Sequence, residues 1–228
     1  MVYGELGRYP VELQIKIKTC FWNKIVGNPD KLSGQIYRLL FDLLISGNRD
    51  IPWVNYIKSI FDETGFSNIW DGHKYINPEF FKVTIKQRLQ DQYIQKWFSD
   101  INNSSRGEYY SKFKTEFKLE NYFLRLNAVH RNYICKLRTS HIKFPIGTGR
   151  WMGIPRDERL CNLCNLCIGN EFHYIFCCEL LKDIRTKYLP NYFIICPCEA
   201  KMNTMLKIGN TQVLTHLSLF LQKIVKLL

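Results

Sequence analysis

The feature that most constrains this chain is a knot of cysteine and histidine in its last third. It runs Cys161-Asn162-Leu163-Cys164-Asn165-Leu166-Cys167, then Gly169-Asn170, then His173 and the pair Cys177-Cys178. A Cys-x2-Cys pair lets a tight turn present both sulfurs to one metal ion. His173 with Cys177 or Cys178 forms the second half, and Gly169-Asn170 supplies the turn between the halves. If the stretch after His173 is α-helical, Cys177 shares its face at i+4. If the helix ends just after His173, Cys178 swings in instead. Four thiolate and imidazole donors suit tetrahedral zinc. With every position filled by protein, such a site is structural, and it folds a loop that has little core of its own. The competing reading is a group of free thiols beside a core histidine, since unbound cysteine is readily buried. A nucleophile–base pair of Cys167 or Cys177 with His173 is a third and weaker one. Cys196-Pro197-Cys198 has a single intervening residue, a poor chelate, and is assigned no metal. Cys20 and Cys135 are expected to be core or incidental.

The compartment bears on this choice. Met1 is followed by Val2-Tyr3-Gly4-Glu5-Leu6-Gly7-Arg8, with no apolar core of signal-peptide length, and no long apolar run marks a membrane span. The expected location is therefore nuclear or cytoplasmic rather than secreted, and no membrane partner is expected. Nine cysteines, an odd number clustered in one third of such a chain, favour metal over a disulfide framework.

Around the knot the apolar spacing is helical, and the fold expected is mainly α. Candidate helices run over 10–26 (its early part alternates, so strand competes there), 31–46, 52–65, 78–101, 121–139, 179–188 and 213–228. Asn28-Pro29-Asp30 breaks the first from the second, and Gly47-Asn48 stops the second. Pro52 sits at a helix start, and Asn77-Pro78-Glu79 opens the longest helix. Its stripe of Phe81, Ile85, Leu89, Tyr93, Ile94, Trp97 and Phe98 is read as core. Asn102 to Gly107 is the clearest linker. These signals divide the chain into a multi-helix domain over 1–105, a basic helix plus zinc-stapled loop or hairpin module over 106–190, and a C-terminal amphipathic helix over 191–228. The hairpin is expected around residues 142–163.

Charge is uneven. The chain carries a net charge of +12, and residues 106–160 alone hold 12 Lys and Arg against 5 Asp and Glu. A basic excess of this kind commonly meets phosphate backbones. Arg125, Arg131, Lys136, Arg138, Lys143, Arg150, Arg156 and Arg159 are the candidate phosphate contacts. Trp151 and Tyr174 are candidates to stack on unpaired bases. No Gly-x-Ser-x-Gly, no P-loop and no acidic trio for two-metal chemistry occurs, so no catalytic set is assigned.

Three runs resemble a known family: Leu137 to Trp151 (Leu-Arg-Thr-Ser-His-Ile-Lys-Phe-Pro-Ile-Gly-Thr-Gly-Arg-Trp), Ile154 to Cys161, and Glu171 to Cys178. Together they resemble the carboxy-terminal, post-polymerase tail of non-LTR retrotransposon reverse transcriptases. Gly4 to Pro10 resembles the segment that follows the polymerase region there, and Asp91-Gln92-Tyr93 with Gln95-Lys96-Trp97 fit the same tail. The resemblance implies a zinc knuckle with Cys161, Cys164, His173 and Cys178 as ligands, Cys178 being preferred to Cys177. It further implies RNA or DNA as partner, with the region holding template or target, and a contact with the polymerase part or another protein. The polymerase signature of an aromatic residue followed by Ala-Asp-Asp is absent from this sequence, as is an endonuclease part. The chain is therefore expected to bind nucleic acid without polymerising it. Two alternatives stand beside this expectation: a helical scaffold that binds a partner through residues 11–98, and a retroelement remnant without function.

Overall fold

The computed structural model describes residues 1–47, 50–104, 107–207 and 210–228. Fifteen α-helices follow one another, and no strand occurs among the described residues. Mainly α is thus the architecture. Two compact units divide it: residues 9–96, and residues 1–8 together with 97–228. The sequence signals placed boundaries near 105 and 190. The units part instead at 8/9 and within the longest helix at 96/97, and residues 191–228 belong to the same unit as the cysteine loop. Ser105 and Arg106 of the expected linker, and Asn48 of the expected helix stop, lie outside the described residues.

The unit of residues 9–96 holds α2 (Val11–Lys18), α3 (Phe21–Val26), α4 (Leu32–Ile45), α5 (Pro52–Glu63), α6 (Ser67–Asp71) and most of α7 (Pro78–Asn103). The ambiguous stretch 10–26 is therefore two helices, parted at Thr19-Cys20. Trp22 lies at the centre, its ring 4.8 Å from Phe61, 5.2 Å from Trp70 and 6.1 Å from Tyr37. Buried Asn23 makes two bonds to one residue: its amide donates to the Ile76 carbonyl at 2.5 Å and its oxygen accepts from the Ile76 N–H at 3.2 Å. That clamp fixes the entry to α7, where Asn77 Oδ1 caps the Glu79 and Phe80 N–H groups. Helix α5 buries Val54, Ile57, Ile60 and Phe61 as its spacing requires, and Gly65 leaves it at φ +72. Helix α4 is apolar on more than one face, and only one of them turns inward. Gly34 and Tyr37 are buried, with Leu40, Phe41 and Leu44 against the core, while Leu32, Ile36 and Leu39 are exposed. The reason is Gly34, which lies so close to the backbone of Asn28 and Pro29 that a Cβ has no room.

The second unit contains α1 (Val2–Leu6), the end of α7, and α8 (Tyr110–Phe113), α9 (Tyr122–Arg125), α10 (Ala128–Arg138), α11 (Pro145–Trp151), α12 (Lys182–Tyr188), α13 (Asn191–Ile194), α14 (Glu199–Lys207) and α15 (Thr211–Leu227). Helix α15 is its spine. It buries Leu214, Leu217, Phe220, Leu221 and Ile224 and packs on α10 and α12. The helix expected over 121–139 is broken in two. Leu126 and Asn127 are extended (ψ 148° and 167°), because Asn127 caps α10 through a 3.0 Å bond from the His130 N–H. The hairpin expected around 142–163 is not there. Phe144 is extended, Pro145 starts α11 at its first turn, and a single antiparallel bridge joins Leu160 to Ile168.

A buried ion network holds α1 to the rest of this unit. Glu5 is fully buried, its carboxylate accepting from the Arg138 guanidinium at 2.9 and 3.1 Å and from the Tyr122 hydroxyl at 2.6 Å. Arg138 also reaches Glu120 at 3.1 Å and donates to the Leu206 carbonyl, and Lys114 pairs with Glu120. Each buried charge has partners, as burial in a low-dielectric interior demands.

Candidate metal centre

The loop that carries the cysteines is closed at its neck by backbone alone. Cys161 N–H donates to Cys167 C=O at 2.8 Å and Gly169 N–H to Arg159 C=O at 2.9 Å. Between these the chain reverses at Asn165, whose N–H donates to Cys161 C=O at 2.9 Å and whose φ is +54°. Asparagine tolerates that left-handed conformation better than most residues with a Cβ. The second half begins at Asn170, whose Oδ1 accepts from the His173 N–H at 2.8 Å. His173–Cys177 then form one π turn, closed by the Cys178 N–H on the His173 C=O at 2.9 Å. Such turns are rare and occur often at functional sites. Cys178 leaves the turn in extended conformation (φ −61°, ψ 115°), which carries its sulfur back toward Cys161.

The four donor atoms of Cys161, Cys164, His173 and Cys178 all lie within 4.8 Å of one another. Cys161 Sγ is 4.0 Å from Cys178 Sγ, and Cys164 Sγ is 3.3 Å from His173 Nε2. Tetrahedral zinc bonded at ~2.3 Å to sulfur and ~2.05 Å to nitrogen separates its ligands by ~3.8 Å (S···S) and ~3.6 Å (S···N). The Cys161–Cys178 and Cys164–His173 separations lie within a few tenths of an ångström of those values, and a separation at the 4.8 Å limit closes by about 1 Å to reach them. Cys161, Cys178 and His173 are buried and Cys164 is half-buried, whereas Cys177 and Cys167 are exposed. The choice that the sequence spacing left open between the paired cysteines is resolved by position: Cys178 faces the cluster and Cys177 faces solvent.

The electrostatics suit a cation. Burial pushes the Cys178 thiol up to about 12, with the neighbouring Cys161 adding to it. For Cys161 burial also acts upward, but hydrogen bonds from Tyr174 and from the Cys164 and Leu163 N–H groups outweigh it, leaving this thiol below its ordinary value. Without a cation, negative charge on one sulfur opposes ionisation of the other. A divalent ion between them stabilises both thiolates. Burial, and then the charge of Arg185, hold His173 below its usual pKa, in the neutral form that ligates metal.

Two residues that the sequence did not single out for this site support it. Arg185 is buried, and its guanidinium donates to Ile175 C=O at 2.8 Å and to Cys178 C=O at 2.7 Å. It ties the π turn to the residue that follows it. Tyr174, expected to stack on bases, is instead fully buried. Its ring stacks on Phe144 at 4.4 Å, and its hydroxyl accepts from the Asn162 N–H at 3.1 Å. A Tyr one residue after the candidate ligand His173 was legible as important, but its direction was not.

The candidate phosphate contacts separate into groups. Arg138 lies in the buried network and is 2% exposed, so it cannot meet a phosphate. Arg159 directs its guanidinium onto the carbonyls of Ile154 and Ile146 and braces α11 against the loop neck. Arg131 is half-buried, with one N–H on Phe123 C=O. Arg156 is exposed and paired with Glu108 at 2.6 Å. Arg125, Lys136 and Lys143 are exposed, Arg150 is half-buried, and Trp151 is 79% exposed. Lys143, Arg150, Trp151 and Arg156 meet around one cavity, which Glu171 also lines.

No family model matches this chain, and no curated protein or solved structure matches it. No helix among the described residues is long and apolar enough to cross a membrane.

Proposed function

We propose that this chain is a zinc-dependent nucleic-acid-binding module, akin to the tail of a retroelement reverse transcriptase and without a polymerase centre of its own. The observation that carries the reading is the convergence of the Cys161, Cys164, His173 and Cys178 donor atoms within 4.8 Å of one another, in the same unit that bears Lys143, Arg150 and exposed Trp151 around one cavity. Three thiolates and one imidazole select zinc over the hard cations, which prefer oxygen. Held there, zinc would fix the loop neck and with it α11, whose C-terminal residues present the basic and aromatic side chains. The kinship to retroelements rests on the runs 137–151, 154–161 and 171–178 and is part of the same proposal.

The test is metal content of the purified chain together with a salt series of binding to RNA and DNA, single-stranded and duplex. One zinc per chain is expected. Arg125, Lys136 and Lys143 are the exposed candidates without an ion pair to a carboxylate among the described residues. A slope of log affinity on log salt of about −3 on duplex DNA follows from these three. A flat salt response, or a metal-free and fully folded loop, overturns the reading.

A second reading belongs to the unit of residues 9–96 and does not compete for the same surface. Helix α4 leaves Leu32, Ile36 and Leu39 exposed, and Phe21 and Ile45 are exposed as well. Apolar exposure of this extent favours a protein partner. Concentration-dependent sedimentation, abolished by Leu39→Lys, would support that role for this unit; a monomer at all concentrations that captures no partner would remove it.

A further inference from the structure

A cavity of about 380 Å3 is formed wholly by residues 107–171, the last of them two positions before His173. That volume falls in the range of sites that take small ligands, roughly 300–1,000 Å3. Its chemistry is asymmetric. Lys143, Arg150 and Arg156 stand along it, with Trp151 at 79% exposure. Ser140 and Glu171 line it as well. Glu171 is more than nine-tenths buried and has the Ser140 side chain as a hydrogen-bond partner. Ser140 holds a left-handed backbone (φ +53°) at the end of α10, a position where glycine is the usual occupant. Strained backbone of this kind persists where the surroundings enforce it, and it clusters at binding sites. A cavity lined by cations and by a buried hydrogen-bonding pair, with an exposed indole beside it, has the three parts of a nucleotide site: phosphate contacts, a stacking plane and a polar group for a base edge.

We propose that this cavity receives a single unpaired nucleotide of a bound strand, its phosphate on Lys143 and Arg150, its base against Trp151, and its base edge toward Glu171 and Ser140. The inference rests on the nucleic-acid reading above and adds what is recognised: an extruded nucleotide rather than a paired groove. A paired base presents no free face to an indole, whereas a bulged one does. The zinc loop supports the cavity from behind, since Gly169 of its neck lies against Pro145, the first residue of α11. The N–H of Ile146 also donates to Gly169 C=O at 3.1 Å.

The experiment compares three duplexes, in RNA and in DNA form, on the zinc-loaded full chain: fully paired, with one central unpaired adenosine, and with an abasic residue at the same bulge. Free adenosine monophosphate is the fourth probe. A fluorescent adenine analogue placed at the bulge reports stacking. Binding to the bulged duplex is expected to exceed the paired and abasic ones by roughly tenfold, with the analogue quenched. Trp151→Ala is expected to abolish that preference and the quenching while leaving the salt slope unchanged, and Trp151→Phe to restore part of both. The indole is exposed, so neither variant threatens the fold. Equal affinity for adenosine and abasic bulges, or a preference that survives Trp151→Ala, overturns the inference while salt-sensitive binding keeps the broader reading. Binding to none of the duplexes removes both. Tight binding of the free mononucleotide at the same cavity replaces the strand with a soluble ligand and likewise overturns it.

Discussion

Replacing Cys178 by serine should cost the metal site far more than replacing its neighbour Cys177. Cys178 is fully buried with its sulfur 4.0 Å from that of Cys161, while Cys177 is exposed. Serine keeps the shape but does not ionise, so one of three thiolates is lost. Structural zinc sites bind with about 10–16 kcal/mol at neutral pH, so one of four ligands is worth about 3 kcal/mol. That corresponds to roughly a hundredfold in dissociation constant. Competition against a chromophoric chelator measures it, and cobalt substitution reports whether the remaining coordination is tetrahedral. Cys177→Ser should leave both readouts at wild type. The pH dependence has a fixed sign. In the metal-free chain the Cys178 thiol keeps its proton up to about 12, so uptake must displace that proton, and affinity falls as pH falls. If Cys177→Ser loses metal as strongly as Cys178→Ser, or Cys178→Ser binds like wild type, the role given to the π turn is wrong.

Arg185→Lys keeps a charge but cannot bridge the Ile175 and Cys178 carbonyls, and should weaken metal binding about 10- to 100-fold in the same competition assay, the usual effect of losing a group that orients a ligand; unchanged affinity would mean the turn holds itself. Glu5→Ala leaves Arg138 buried beside Glu120 alone, and should lower stability in urea by about 3 kcal/mol, the low end for breaking a buried pair, because Glu120 and the Leu206 carbonyl still hold the guanidinium. A loss under about 1 kcal/mol would place the network in contact with water.

Helical class and the starts of α4, α5 and α7 were legible because they are written in local chemistry: Pro52, Asn77-Pro78 and the spacing of Val54, Ile57, Ile60 and Phe61 each act within a turn or two. What was not legible depended on contacts far along the chain. The leucines of α4 lie on more than one face, and the close approach of Gly34 to Asn28 and Pro29 selects which of them is buried. The break at Leu126-Asn127 arises because an asparagine can cap a helix from within an apolar repeat, and periodicity alone does not see that competition. Glu5 reads as one acid in an unremarkable opening segment, and only the partners at residues 120, 122 and 138 make it an anchor. The metal cluster lies between these cases. Its two halves are each local, so the donor set could be drawn from spacing with Cys177 and Cys178 both open; the family resemblance preferred Cys178, and the π turn, which no spacing rule announces, is what brings its sulfur to the cluster.

The basic residues show why charge alone overstates an interface. Eight cations near the cysteines looked equivalent in the sequence. Arg138 is bound to Glu5 and Glu120, Arg159 and Arg131 to carbonyls, and Arg156 to Glu108. A guanidinium with five donors in a planar fork is suited to phosphate and equally suited to a carboxylate or a row of carbonyls. The lysines divide differently: Lys136 and Lys143 are exposed, and buried Lys114 is paired with Glu120. The cations that hold the second unit together are therefore mostly arginines drawn from the same basic stretch that supplies the surface. On the proposed nucleic-acid reading, loss of Arg138 or Arg159 would weaken binding indirectly, through α10 and the loop neck. Loss of Lys143 would weaken it directly and lower the salt slope by about one unit while leaving stability unchanged. Binding measured without stability would confuse the two, and only the salt slope separates a phosphate contact from a brace.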